Sequence, residues 1–120
     1  VFSMQEMSQT LGIAPSEISR RINMALAHVA QEALKNESLR IGGLYTSGGE
    51  VTVSVMRTLK AGGFSVRIMV LPLAVYGHII GGEHPDLPMI TKGGFVGDKD
   101  SLVECMEYLF TKISSRKRPA

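Results

Sequence analysis

At 120 residues the chain is long enough for one hydrophobic core and short for a complete enzyme with two substrates. Its 44% hydrophobic and 20% charged residues fit a folded globular chain and exclude a disordered one. A net charge of +2, no apolar run near the ~18 residues that cross a bilayer, and no basic surface interleaved with aromatics argue against membrane and nucleic-acid partners.

Val1-Phe2-Ser3 has neither the charge nor the apolar run of a leader, and with no initiating Met the chain reads as trimmed or truncated. Cys105 is the single cysteine, so an internal disulfide is excluded and a reducing, cytoplasmic setting is expected. The basic end, Lys112, Arg116, Lys117 and Arg118, reads as a solvated terminus.

Ser3-Met4-Gln5-Glu6 has the form of a capping box, and Gly12 stands where a short first helix would stop. After Pro15, apolar residues recur at Ile18, Ile22, Ala25, Val29 and Ala33, with Leu26, Ala30 and Leu34 beside them. This spacing predicts a second helix ending near Asn36, with that stripe facing the core. His28 on this helix has no second ligand one turn away and reads as a partly buried or surface histidine. Ile41 to Tyr45 predicts a buried strand, and Ser47-Gly48-Gly49-Glu50 turns the chain into a helix over Val51 to Lys60, ended by Gly62-Gly63.

Phe64 to Leu73 predicts one or two strands, Tyr76 to Pro88 a glycine- and proline-punctuated loop, and Leu87 to Thr91 a short strand. The last helix carries Leu102, Val103, Met106, Leu109, Phe110 and Ile113 on one face, with Asp98 or Asp100 placed to cap it. Strands alternating with helices make this an α/β chain, a single domain with a mostly parallel or mixed sheet covered by helices.

In open sheets of this kind ligands bind beyond the carboxyl ends of the strands. Two glycine turns, Gly48-Gly49 and Gly93-Gly94-x-x-Gly97, follow strands there. A turn opening a helix leaves backbone N–H groups unpaired, and those amides with the helix dipole favour an anion. Glycine lets the backbone approach closely, and Lys92 adds a cation suited to phosphate oxygens. Neither turn has the spacing of a P-loop or of the dinucleotide fingerprint. Each alone reads as a tight turn with Lys92 in solvent; two at one end of a sheet raise the case for a phosphate cradle.

Glu83-His84-Pro85-Asp86 holds two carboxylates around an imidazole but has no further His or Cys to complete a metal site, and reads as a solvated loop. His78 reads as a core or pocket-lining residue lacking an orienting carboxylate nearby in sequence. Cys105, beside the main stripe of the last helix, reads as an inert packing residue.

Taken together, "TSGGEVTVSVMRTL", "VLPLAVYGHIIGG" and "MITKGGFVGDKDSL", in this order, resemble the C-terminal nucleotide-binding domain of the four-carbon acid sugar kinases. The resemblance covers about Leu39 to Leu109 and implies that residues 1–120 are that domain, without the N-terminal domain that carries most of the sugar-acid site. It implies an ATP-dependent phosphotransferase acting on threonate, erythronate or 3-oxo-tetronate, with Mg²⁺ arriving with the nucleotide and this fragment alone inactive. The partners implied are ATP and, through the missing domain, the sugar acid; a homo-oligomer is left open.

Carried over onto matching positions, Gly48, Gly49, Glu50 and Val51 stand in the first nucleotide turn, Pro72 and Gly77 in the middle loop, and Thr91, Lys92, Gly94 and Gly97 in the last turn. Lys92 is the residue placed to touch phosphate or transition state. Val51 departs from the family's usual Thr, though Thr52 follows, and Val96 from its Phe, with Phe95 one position early. The middle loop also lacks the usual Glu. These departures bear on side-chain contacts and keep a second reading open, a non-catalytic or degenerate module that binds a phosphorylated metabolite.

Overall fold

The structure, a computed structural model, describes residues 4–93 and 99–117. Helix α1 (Met4–Leu11) stops at Gly12, whose φ of +67° is the left-handed geometry expected of a glycine closing a helix. Ser3 of the expected capping box lies outside the described residues. Helix α2 (Pro15–Lys35) opens with Pro in its first turn, where a missing N–H costs nothing, and ends at Asn36.

Strand β1 (Leu44–Ser47) leads through Gly48 into α3 (Gly49–Thr58). Strands β2 (Gly63–Leu71) and β3 (Ala74–Ile80) form a hairpin about Pro72-Leu73, β4 (Pro88–Lys92) follows, and α4 (Ser101–Lys117) closes the order. The expected loop over Tyr76 to Pro88 is therefore strand as far as Ile80 and a connection only from Gly81 to Leu87. Its glycines and prolines fall at the strand's middle and in the connection beyond Ile80, while Val75, Tyr76, Ile79 and Ile80 supply the β-branched and aromatic residues that suit a pleated surface.

The sheet order is β1-β4-β3-β2, with β1 and β4 parallel and the other two pairs antiparallel. The sheet is thus mixed, and parallel only where the two glycine turns arise. Helices cover both faces. On one, Ile79 and Met89 pack with Ala27 of α2 and with Val55 and Leu59 of α3. On the other, Ala74, Tyr76 and Ile90 pack with Cys105 and Leu109 of α4. The neighbours Met89 and Ile90 go to opposite faces because strand side chains alternate.

Two helices sit rotated from their expected stripes. On α2 only Ile18 of the main stripe is fully buried; Ile22, Leu26 and Val29 are 39%, 49% and 65% exposed. On α4 the buried line is Ser101, Cys105 and Leu109, one residue per turn, while Leu102, Val103 and Phe110 lie exposed. Cys105 is thus off the predicted stripe yet buried, and burial pushes its thiol pKa up, as befits an inert packing residue.

Candidate functional site

The site is built where β1 and β4 end side by side. Their register pairs Thr46 with Thr91 and Ser47 with Lys92, so the turns that follow leave the sheet at the same edge. The Gly48 N–H donates to the Lys92 carbonyl at 2.8 Å, tying one turn to the other. The Gly93 N–H donates to Leu73 at 3.0 Å, which brings the Pro72-Leu73 hairpin to that edge as well. Gly94 and Gly97 lie outside the described residues, as do Phe95, Val96 and Asp98.

Gly48 caps α3 with φ of 99°, a conformation that a side chain would strain. No side chain caps this helix end, and the first helical bond runs from the Thr52 N–H to the Gly48 carbonyl. The amides of Gly49, Glu50 and Val51 precede that bond, so none has a helical carbonyl to pair with. Among the described residues, a Cβ placed on Gly49 would meet nothing within 4 Å, so they leave the approach to these amides open. The arrangement is a ready receptor for an anion, with the helix dipole adding its positive end.

Thr52, noted in the sequence beside Val51, braces the turn together with Thr46 and Asn23, which the sequence did not mark. Thr52 Oγ1 donates to the Gly48 carbonyl at 2.8 Å and lies 2.8 Å from the hydroxyl of buried Thr46. Asn23 of α2 donates to the Glu50 carboxylate at 3.3 Å, so Glu50 is held from the helix behind the turn. Val51, half-buried, packs against the core formed by Ala27, Val55 and Leu59. An apolar residue suits that inward position, and the hydroxyl of the turn comes from Thr52 one residue on. The nearest sequence signal was Thr52 itself; Thr46 and Asn23 give none, because their roles depend on chain crossings.

Lys92 ends β4 half-buried, with Nζ donating to the Gly93 carbonyl at 2.8 Å. Its charge is felt by the Cys105 thiol, opposing the effect of burial there. The ammonium therefore stands at the root of the second turn on the α4 side of the sheet. Thr91, half-buried in β4, pairs with Thr46 in register.

Gly77 is set apart from both turns. It sits inside β3 between Val66 and Met89, and a Cβ there would lie 2.2 Å from the Ser65 carbonyl oxygen. Its glycine admits a neighbouring strand. His78 pairs with Pro88 at the opposite end of β4 from Lys92, with Nε2 3.0 Å from the Tyr76 hydroxyl and Nδ1 3.3 Å from Asp86 Oδ1. It does have a carboxylate neighbour, brought across by the connection from Gly81 to Leu87, but this group faces away from the glycine edge. His28 is exposed, 3.9 Å from Glu32. Among the described residues no three His, Cys, Asp or Glu side chains group as metal ligands, and no helix is long and apolar enough to cross a membrane.

Both sequence relatives and solved structures resemble this chain. The chain is 44% identical to a D-erythronate kinase of Heliobacterium modesticaldum over all 120 residues, and spans 27% of that protein. It is 30% identical over 92 residues to a D-threonate kinase of Salmonella typhimurium, covering 77% of this chain and 20% of that one. The chain therefore spans about a quarter of the length of these relatives. A Bordetella bronchiseptica protein described as a domain of unknown function, crystallised with citrate as a domain-swapped dimer, shares the fold. Its two crystal forms give TM-scores of 0.67 and 0.64, at 24% and 23% identity, over 72% and 82% of this chain and 22% and 23% of that one. The sequence pattern of the family described as "Nucleotide-binding C-terminal domain" matches residues 2–102, and the chain belongs to that family.

Proposed function

We propose that this chain is the ATP-holding domain of a kinase that phosphorylates a four-carbon sugar acid of the erythronate or threonate kind. The observation that carries the reading is the coupled pair of turns: Gly48 N–H on the Lys92 carbonyl at the carboxyl ends of two parallel strands, with the uncapped start of α3 facing out. The curated relatives, both sugar-acid kinases by name, supply the substrate class. In this reading the amides of Gly49, Glu50 and Val51 take phosphate oxygens, and Gly48 and Gly49 leave room for the close approach. Lys92 would meet the phosphates from the root of the second turn, and Gly94 and Gly97 are the further contacts that the family resemblance assigns.

Phosphoryl transfer rests on positioning and on charge neutralisation, and Lys92 would supply the second. Mg²⁺ would enter with the nucleotide and would supply further neutralisation of its phosphate charge. The domain that carries the sugar acid would precede this region, and the whole protein would work in the cytoplasm. Gly77 has no part in this cradle, because its place is in the sheet.

Calorimetry of the full-length protein with ATP and Mg²⁺, followed by phosphorylation of D-erythronate and D-threonate, tests the reading. Heat of binding and transfer to either acid are expected. Absence of ATP binding together with binding of some other phosphorylated metabolite would replace it with the non-catalytic module. Val51, one motive for that alternative, is accounted for by its packing.

A further inference from the structure

Helix α2 is mounted with its leaner side inward. The residues that meet α3 and the sheet are Asn23, Ala27, Gln31 and Leu34, two of them amides: Asn23 holds Glu50, and Gln31 Nε2 reaches the Thr58 carbonyl and Glu83. The strongly apolar line points the other way. Ile22, Leu26, Val29 and Ala33 recur at intervals of four, three and four residues, the spacing of a seam made to receive another element. Ile22, Leu26 and Val29 are 39–65% exposed. At its far end the line runs into a shallow hollow between Val29, Ala33, Glu32 and Asn36. Scattered exposed aliphatics need no explanation, but a continuous helical seam of them marks a docking surface.

We infer that this seam is the surface on which the preceding part of the longer polypeptide docks. The inference rests on the reading that such a part exists. The chain spans about a quarter of its curated relatives and matches a family described as a C-terminal domain, so in those relatives the remainder lies upstream. Helix α1 packs on α2 and leads directly into it, so the chain upstream of α2 enters against this same helix. A second copy of this chain is the weaker occupant. One seam on one helix offers a few hundred Å², short of the roughly 800 Å² per partner of a stable pair. A tethered domain needs less, because the tether supplies a high effective concentration.

The position of the seam gives it a consequence. Asn23 meets Glu50 and Gln31 meets Thr58, so α2 and α3 run side by side in the same direction. Ile22 is therefore level with the Gly48-Gly49 turn. A domain seated on Ile22, Leu26 and Val29 is level with the first turn along α2, and the contact between Asn23 and Glu50 links that helix to the turn.

The experiment places a photo-crosslinking benzoylphenylalanine at Val29, a site exposed enough to accept it, in the full-length protein, and maps adducts by mass spectrometry without nucleotide or substrate. Adducts with residues upstream of this region, in the same copy or exchanged from a second, are expected. Adducts with α2 of a second copy would overturn the inference, and so would no adduct at all. A second variant, Val29→Lys, is expected to raise protease nicking between the two parts fivefold or more, with circular dichroism unchanged. Wild-type nicking would equally overturn it. Neither readout depends on ATP, so failure here is separate from failure of the kinase reading.

Discussion

Two glycines at the open edge of the sheet, Gly48 and Gly49, and two away from it, Gly77 and Gly82, use the missing side chain in opposite ways. At the edge where β1 and β4 finish, among the described residues a Cβ on Gly49 would meet nothing within 4 Å, and one on Gly48 only Val51 at 4.0 Å. Toward the other end, a Cβ on Gly82 would lie 2.6 Å from the Leu59 carbonyl oxygen, and in mid-strand one on Gly77 would lie 2.2 Å from that of Ser65. One set of glycines leaves space in front of unpaired amides, where a ligand can come. The other set is filled by the protein's own backbone. Glycine content therefore does not locate a binding site; what occupies the space of the missing side chain does.

Gly77→Ala should produce the largest effect, because strand backbone cannot move aside as a flexible side chain can. A loss of about 3 kcal/mol in urea unfolding is expected. A stable Gly77→Ala protein would mean that β2 and β3 can separate, and would weaken the contrast. Gly82→Ala comes next. Its φ of 76° and the nearby carbonyls of Leu59 and Lys60 should together cost about 2 kcal/mol, with ATP affinity unchanged in the folded protein.

The open edge should answer in function instead. If the proposed kinase reading holds, Lys92→Met in the full-length protein is expected to lower kcat/KM tenfold or more, about 1.4 kcal/mol of transition-state binding. Wild-type kinetics would make the lysine a brace for the Gly93 carbonyl and nothing further. Gly49→Ala sharpens the comparison further. Stability should stay within about 0.5 kcal/mol. ATP affinity should fall about fivefold, near 1 kcal/mol. If Kd for ATP is unaltered in this variant, the open space faces solvent alone.

The smallest effect belongs to the exposed start of α2. Hydrogen bonds from Arg20 and then Arg21 lower the Glu17 carboxyl from its ordinary 4.5 to about 2. A depressed folded pKa contributes stability that is complete above 4.5 and is lost as pH falls through about 2. The surface position keeps that contribution small. Urea midpoints of wild type and Glu17→Gln should differ slightly at neutral pH and converge on acidification; a difference that grows in acid would reverse the assignment.

How far the site was legible follows from the same contrast. Gly48, Gly49 and Lys92 were readable because a strand, a glycine turn and a helix are consecutive in the chain. Gly77 was read as a loop residue because a glycine in a run of Val, Tyr and Ile looks alike whether it breaks a strand or admits a neighbour. Thr46 and Asn23, which brace the first turn, were silent, since each acts on a residue brought close only by folding. His78 gained its carboxylate from Asp86, eight residues away across a connection whose course the sequence does not specify.

By itself the sequence determined where the helices lie and nearly where they stop, and it located every strand but β3. Those features depend on periodicity, on Gly12 closing α1, on Pro15 opening α2 and on local turn chemistry, all of which act within a few residues. The tertiary structure decided the rest. Periodicity shows that α2 has an apolar stripe but not which side of the helix meets the sheet, and the amides of Asn23 and Gln31 took the inner place by finding Glu50 and the Thr58 carbonyl. The parallel pairing of β1 with β4 likewise rests on hydrogen bonds between strands over forty residues apart in the chain, and that pairing alone brings Gly48 to Lys92.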